Sequence, residues 1–305
     1  MPLLHGGNAV KLIFFGNYFY GLCAVALAIE SSLQQYYPLN SPLFYLLLFC
    51  VTVLYYSKAY LATEVSTDSA NLRSLWYANN RKAIIRSQQL LLFIFLVTGS
   101  LVLYRHWQGL TELFPREWLL LLIFPFVSVL YYGISHNGKA YNIRNIGRLK
   151  PFVIGFTWAG LVSVYPTLFY ELSNGSHFTP SYGSVFLFIK NFMFIAVLCI
   201  MFDIKDYEMD YNTQLKTFVV KLGPRRTIWF VIIPLCLLGL AAFLAYAFRQ
   251  NFHSSRILLN TVPYLLITLV GASLQRHRSI FYYLVIIDGL MLVKALCGIA
   301  GMVWL

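Results

Sequence analysis

The sequence predicts an all-α, polytopic membrane protein of nine transmembrane helices. Three observations carry that reading. First, 59% of the 305 residues are hydrophobic and only 11% are charged, whereas soluble domains carry about a quarter charged residues. Second, the apolar residues fall in runs close to the ~20 residues that a bilayer crossing needs. Third, the 23 Lys and Arg outnumber the 11 Asp and Glu and gather in alternate gaps between those runs. The strict apolar/polar alternation of a lipid-facing β-barrel is absent, so the runs are helices.

In chain order the expected spans are Leu12–Leu33, Pro42–Ala62, Gln88–Tyr104, Trp118–Ile134, Pro151–Tyr170, Tyr182–Phe202, Thr227–Phe248, Ile257–Leu274 and Ile280–Leu305. The first is long, is interrupted by Asn17 and is followed by no small-residue cleavage site, so it reads as a retained span and not a signal peptide. No extramembrane domain is expected, and residues 1–305 read as one transmembrane domain.

The basic residues set the orientation. Lys11 and the gaps after spans two, four, six and eight hold sixteen Lys and Arg, and the opposite gaps hold only Arg105, Arg116, Arg249 and Arg256. The positive-inside rule then places the N-terminus in the cytoplasm and the C-terminus outside. Most of the net +12 is therefore membrane anchoring and not a nucleic-acid footprint. Cys23, Cys50, Cys199, Cys236 and Cys297 are isolated in apolar stretches, with no CxxC, and read as small buried hydrophobes. The six histidines are scattered, and no HExxH, GxSxG, Walker loop or dinucleotide fingerprint occurs.

Two cytoplasmic gaps, about 63–87 and 203–226, are long and mix acids with bases, and long structured loops in a compact chain are usually functional. The second opens with Asp203-Ile204-Lys205-Asp206-Tyr207-Glu208-Met209-Asp210, at the cytoplasmic end of span six. On a helix, Asp203, Asp206 and Asp210 share one face within an arc of roughly 60°, and Glu208 points away. Carboxylates that close repel unless a cation neutralises them, and hard oxygen ligands suit Mg²⁺. A solvated helix end whose acids pair with Lys205 and its neighbours has the same spacing, and both readings stand at this level.

The stretch Asp203–Gly223, DIKDYEMDYNTQLKTFVVKLG, resembles the second aspartate-rich motif of the UbiA-type intramembrane prenyltransferases. That motif runs D-x-x-D-x-x-x-D, with a Thr seven residues on, here Thr217, and an apolar strip ending in Leu-Gly, here Leu222-Gly223. The resemblance implies a helical bundle around a central cavity capped by cytoplasmic loops. It implies transfer of a prenyl group from an isoprenyl diphosphate to a lipophilic, in many members aromatic, acceptor. Mg²⁺ would be the cofactor, with Asp203, Asp206 and Asp210 as its ligands.

The first motif of the family, an Asn followed by aspartates at four-residue spacing, is not matched. Around the end of span two the chain reads Tyr55-Tyr56-Ser57-Lys58-Ala59-Tyr60 and continues to Glu64 and Asp68. Ser57 stands about where the Asn falls, and Lys58 adds a cation. Glu64 and Asp68, four apart, are either a remnant of that motif or loop acids facing Arg73 and Arg81. The segment Ile143–Trp158 resembles more loosely a divergent bacterial branch that also lacks a regular first motif, which implies a bacterial inner membrane. Within it Arg144 and Lys150 are candidate diphosphate ligands; anchoring to anionic lipid headgroups is the other reading.

Charges inside spans are usually functional or paired. Lys190 lies about 20 Å along a helix from Asp203 and is a poor diphosphate ligand. Asp288 and Lys294 share span nine without facing each other, and Glu30 is expected at the outer interface. Two further readings remain beside the enzyme: a non-catalytic member of the fold that binds a polyprenyl or other lipid, and a transporter using Asp288, Lys190 and Lys294. The scarcity of broken-helix signals counts against the transporter.

Overall fold

The computed structural model describes residues 8–62, 72–136, 139–141 and 146–303. Its helices are α1 (Asn8–Phe15), α2 (Tyr18–Gln34), α3 (Pro42–Ala62), α4 (Leu72–Asn79), α5 (Arg81–Arg105), α6 (Trp107–Thr111), α7 (Pro115–Tyr132), α8 (Lys150–Ala159) and α9 (Tyr165–Ser173). They continue with α10 (Tyr182–Lys205), α11 (Tyr207–Asn212), α12 (Phe218–Leu222), α13 (Pro224–Thr227), α14 (Ile233–Arg249), α15 (Ser254–Ser273) and α16 (Gly289–Val303). Short π-helical turns at Gly160–Val164, Ile228–Ile232 and Tyr282–Ile287 join α8 to α9, α13 to α14, and lead into α16. A two-stranded antiparallel ribbon, β1 (Ile134–His136) and β2 (Lys139–Tyr141), pairs Ile134 with Tyr141.

Seven helical stretches among the described residues are long and apolar enough to cross a bilayer, and the pair Ala9–Phe15 and Tyr18–Gln34, bent by 63°, makes an eighth. Nine were expected. The difference lies at Trp118–Ile134, where α7 stops at Tyr132 and the chain turns into β1. At about 1.5 Å per residue its 18 residues reach roughly 27 Å, just short of a ~30 Å hydrocarbon core. The first span also differs: Leu12–Leu33 is two helices, because Asn17 adopts a left-handed φ of 66° that a continuing α-helix cannot contain. The protein is thus an integral, multi-pass, helical membrane protein.

The helices form two units. The first comprises the described residues of Met1–Ala26 and Asn40–Glu112; the second those of Leu27–Leu39 and Leu113–Leu305. In the first, α3 packs along α5, with Cys50 and Val53 fully buried and Leu91 nearly so. The break at Asn17 is tied down by hydrogen bonds. Asn17 Nδ2 donates to Ser57 Oγ at 3.1 Å and to Tyr77 Oη at 3.0 Å. The Arg73 guanidinium donates to the Phe15 carbonyl at 3.0 Å and to Asn17 Oδ1, and it lies 4.3 Å from the Tyr60 ring centre. Burial pushes the Tyr77 pKa up, which keeps the phenol neutral as a partner for Asn17.

In the second unit α10 is the central element, packed against α8 on one side and α14 on another. Gly155 permits the close approach of α8. A Cβ there would stand 2.8 Å from the Phe192 carbonyl oxygen and 3.3 Å from the Ala196 Cβ. Polar bonds lock the same interface, with Asn191 Nδ2 donating to Ser163 Oγ at 2.7 Å and to Ser31 Oγ at 3.3 Å. Glu30, expected at the interface with water, is fully buried. Its carboxylate accepts from Lys294 Nζ at 2.6 Å and lies 3.7 Å from Lys190 Nζ, so the three titratable groups within these helices partner one another.

Gly155→Val should force α8 away from α10 and cost about 1–3 kcal/mol. It would show as a lower unfolding temperature in detergent. Gly99→Ala, whose new Cβ would meet Leu47 Cδ2 at an ordinary 3.8 Å, should leave that temperature unchanged or slightly raised.

Candidate functional site

α10 delivers Asp203 close to its C-terminal end, fully buried beside Ile200 and Met201 of the same helix. The cation it meets comes from the start of α8. Lys150 opens that helix next to Pro151, whose missing N–H is no loss in a first turn. Lys150 Nζ donates to Asp203 Oδ1 at 2.7 Å, and the lysine side chain keeps 19% of its surface exposed. Asp203 Oδ2 is buried and has no hydrogen-bond partner. An ionised oxygen left so is costly, and such atoms mark a place where a cation, a water or a ligand donor belongs.

The rest of the motif departs from the expected geometry. Asp203, Asp206 and Asp210 do not lie on one continuous helix. α10 ends at Lys205, Asp206 takes φ −89° and ψ 5°, and α11 begins afresh at Tyr207. A short acidic side chain competes for its own backbone and favours such a junction. Asp206 pairs with Lys205 at 2.9 Å. Asp210 is largely buried on α11. Its backbone N–H donates to the Asp206 carbonyl at 2.9 Å, and its own carbonyl accepts from Leu215 N–H at 2.8 Å. Among the described residues, no three His, Cys, Asp or Glu side chains gather closely enough to hold a cation alone.

Thr217 explains its place in the motif as a helix cap. Its Oγ1 accepts from the Val220 N–H at 3.1 Å at the start of α12, the usual role of a Thr in that position. Gly147 brings the chain leading into α8 against this cap. A Cβ on it would stand 2.9 Å from the carbonyl carbon of Lys216 and the nitrogen of Thr217. The start of α8, the end of α10 and the start of α12 therefore meet in one place, with Lys150 and Asp203 at their junction.

Of the residues expected from sequence, Asp203 and Lys150 are brought into contact. Asp206 and Asp210 follow within the same turn of chain. Arg144, Glu64 and Asp68 lie outside the described residues. In the first unit, Ser57 is fully buried and takes its hydrogen bond from Asn17, and Lys58 is exposed. The Lys150–Asp203 pair was missed by treating each residue as a separate ligand. The signal for it was topological: the start of span five and the end of span six lie at the same face of the membrane.

The donor set fits Mg²⁺ in one form. This ion typically takes one or two carboxylates and completes its shell with water and substrate phosphate oxygens. Asp203 Oδ2 supplies a buried, unbonded carboxylate oxygen, and Asp206 and Asp210 stand in the adjoining turn. A site completed by a bound diphosphate suits this arrangement; a cage built from protein ligands alone does not.

No family model matches the chain, and no curated protein matches it. Two solved structures do. A UbiA homolog from Aeropyrum pernix K1 is 14% identical with a TM-score of 0.61, over 93% of this chain and 97% of that one. A digeranylgeranylglyceryl phosphate synthase is 15% identical with a TM-score of 0.55, over 97% of this chain and all of that one. At these identities the likeness establishes the fold.

Lys150→Met strands the buried Asp203 carboxylate and should cost about 3–5 kcal/mol. The double variant with Asp203→Asn should recover a large part of that loss. Thermal unfolding of the three proteins in one detergent measures the difference.

Proposed function

We propose that this chain, which has the fold of the UbiA-type intramembrane prenyltransferases, transfers a prenyl group from an isoprenyl diphosphate to a lipophilic acceptor, with Mg²⁺ as cofactor. The observation that carries the reading is the buried, unpartnered Asp203 Oδ2 beside the Lys150 ammonium. A carboxylate oxygen and a cation side by side suit a metal-bridged diphosphate, whose charges are of both kinds once the metal is counted.

In this reading Asp203 would hold the metal, with Asp206 and Asp210 in the adjoining turn and the diphosphate completing its shell, and the metal would neutralise charge on the diphosphate. Lys150 has three N–H donors, of which one is given to Asp203. The others face the diphosphate oxygens, with Arg144 as a second, bidentate contact. The C1–O bond of the allylic donor breaks with its electron pair passing to the diphosphate. The acceptor's nucleophilic atom bonds C1 and gives up a proton to the medium. Donors fixed where negative charge grows lower the barrier, and aromatic ring faces stabilise the allylic cation. Orientation follows the basic residues: the N-terminus and the Asp203 end face the cytoplasm, in the inner membrane of a bacterial cell.

A second reading, a lipid-binding member without catalysis, is favoured by one observation. Where the first motif is expected, Ser57 is taken up by Asn17 in holding the α1–α2 break, and no carboxylate stands there among the described residues.

Protein in nanodiscs should bind geranylgeranyl diphosphate in a Mg²⁺-dependent manner and release diphosphate when a lipophilic acceptor is present. Asp203→Asn and Asp206→Asn should each weaken binding about tenfold or more, roughly 1.4 kcal/mol or above. Unchanged binding in both variants contradicts the metal assignment. Binding without diphosphate release over a panel of acceptors supports the lipid-binding reading.

A further inference from the structure

The second unit carries another polar site far from Asp203. Lys190 sits on α10 about 20 Å from Asp203 along the helix axis, and it is buried. Its Nζ donates to Gln34 Oε1 at 3.1 Å and to Asn260 Oδ1 at 3.4 Å. Beside it, Glu30 is shared between Lys190 and Lys294. Arg256, at the start of α15, donates to Tyr36 Oη at 3.0 Å and lies 3.8 Å from the Phe252 ring centre. Among the described residues no other carboxylate pairs with Lys190, Lys294 or Arg256. Two lysines thus share one carboxylate, and Arg256 stands by with no carboxylate of its own among the described residues.

These cations border a cavity. About 100 Å³ of space is lined by Lys190, Arg256, Gln34, Asn260, Phe243 and Tyr246. Tyr36, also on its wall, holds a left-handed φ of 60° where it closes the end of α2, with the Tyr37 N–H donating to the Ser32 carbonyl at 2.9 Å. The helices around the cavity present large apolar side chains outward, among them Tyr182, Phe248 and Leu258, so the wall continues into a lipid-facing surface. An uncompensated positive charge in a low-dielectric setting is costly. An anion in this space offsets that cost, and Arg and Lys together recognise phosphate well.

We infer that this cavity is a phosphate-binding site, Arg256 gripping a phosphate group beside the buried Lys190 and the aromatic wall receiving the adjoining apolar atoms. A lipid headgroup and free inorganic phosphate offer the same group. The site is independent of the chemistry at Asp203, because the two lie about 20 Å apart along α10.

Delipidated protein in a neutral detergent is titrated with phosphatidylglycerol, with inorganic phosphate and with diacylglycerol of the same chains. Native mass spectrometry reads occupancy, and thermal unfolding reads stabilisation. One phosphatidylglycerol or one phosphate per chain is expected, with a raised unfolding temperature; the arm that gives it identifies the source. Arg256→Gln, which leaves the buried Glu30 pairs in place, should weaken that binding about tenfold. Lys190→Gln should do the same, and neither should alter Mg²⁺-dependent binding of isoprenyl diphosphate. Equal binding of diacylglycerol and phosphatidylglycerol with none of phosphate, or Arg256→Gln binding the anion like wild type, overturns the inference.

Discussion

The buried contact between Lys150 Nζ and Asp203 Oδ1 is the constraint on which the candidate site rests. A carboxylate buried near the end of a hydrophobic helix is stabilised by a cation close by. That pairing sets the start of α8 against the end of α10. Gly155 and Gly147 serve the same end, one letting two helices approach and the other letting the entry to α8 rest on the Thr217 cap. With one oxygen of Asp203 held by Lys150, the other is fixed in direction without being used up. A site so arranged is oriented before any ligand arrives, which is what electrostatic stabilisation of a leaving group needs.

Much of this was legible in the chain. The apolar runs and the pattern of basic residues give a multi-pass helical protein, and Asn17 was visible as an interruption before it proved to be a break of 63° between two helices. The spacing of Asp203, Asp206, Asp210, Thr217 and Gly223 led to the fold that the solved structures share. Three features were out of reach for physical reasons. The helix break at Asp206, whose carboxylate pairs with Lys205, is a local departure that the spacing of the acids does not register. The partner of Asp203 is 53 positions away, and only the antiparallel placing of two spans brings it near. Glu30 joins Lys294 across 264 positions, a pairing that no spacing rule reaches.

The two units differ in how they use polar residues. In the first, Asn17, Ser57, Tyr77 and Arg73 are committed to one another and to backbone carbonyls at the α1–α2 break. That commitment gives Ser57 a structural task at the position where the family resemblance places a ligand. In the second unit the polar groups are less completely matched: one Asp203 oxygen has no partner, and the Glu30 cluster has more cations than anions. Unmatched charge in a lipid-walled protein is costly to retain, and both places are where ligands are proposed.

Asp203 is proposed to share a cation with a diphosphate. Electron paramagnetic resonance tests it directly, with Mn²⁺ in place of Mg²⁺ and a non-hydrolysable isoprenyl thiodiphosphate bound to the wild-type protein. A protein-bound Mn²⁺ signal with phosphorus hyperfine coupling is expected, lost or strongly weakened in Asp203→Asn. A signal of undiminished strength in Asp203→Asn, or no bound Mn²⁺ in the wild type with the analogue in place, would contradict it.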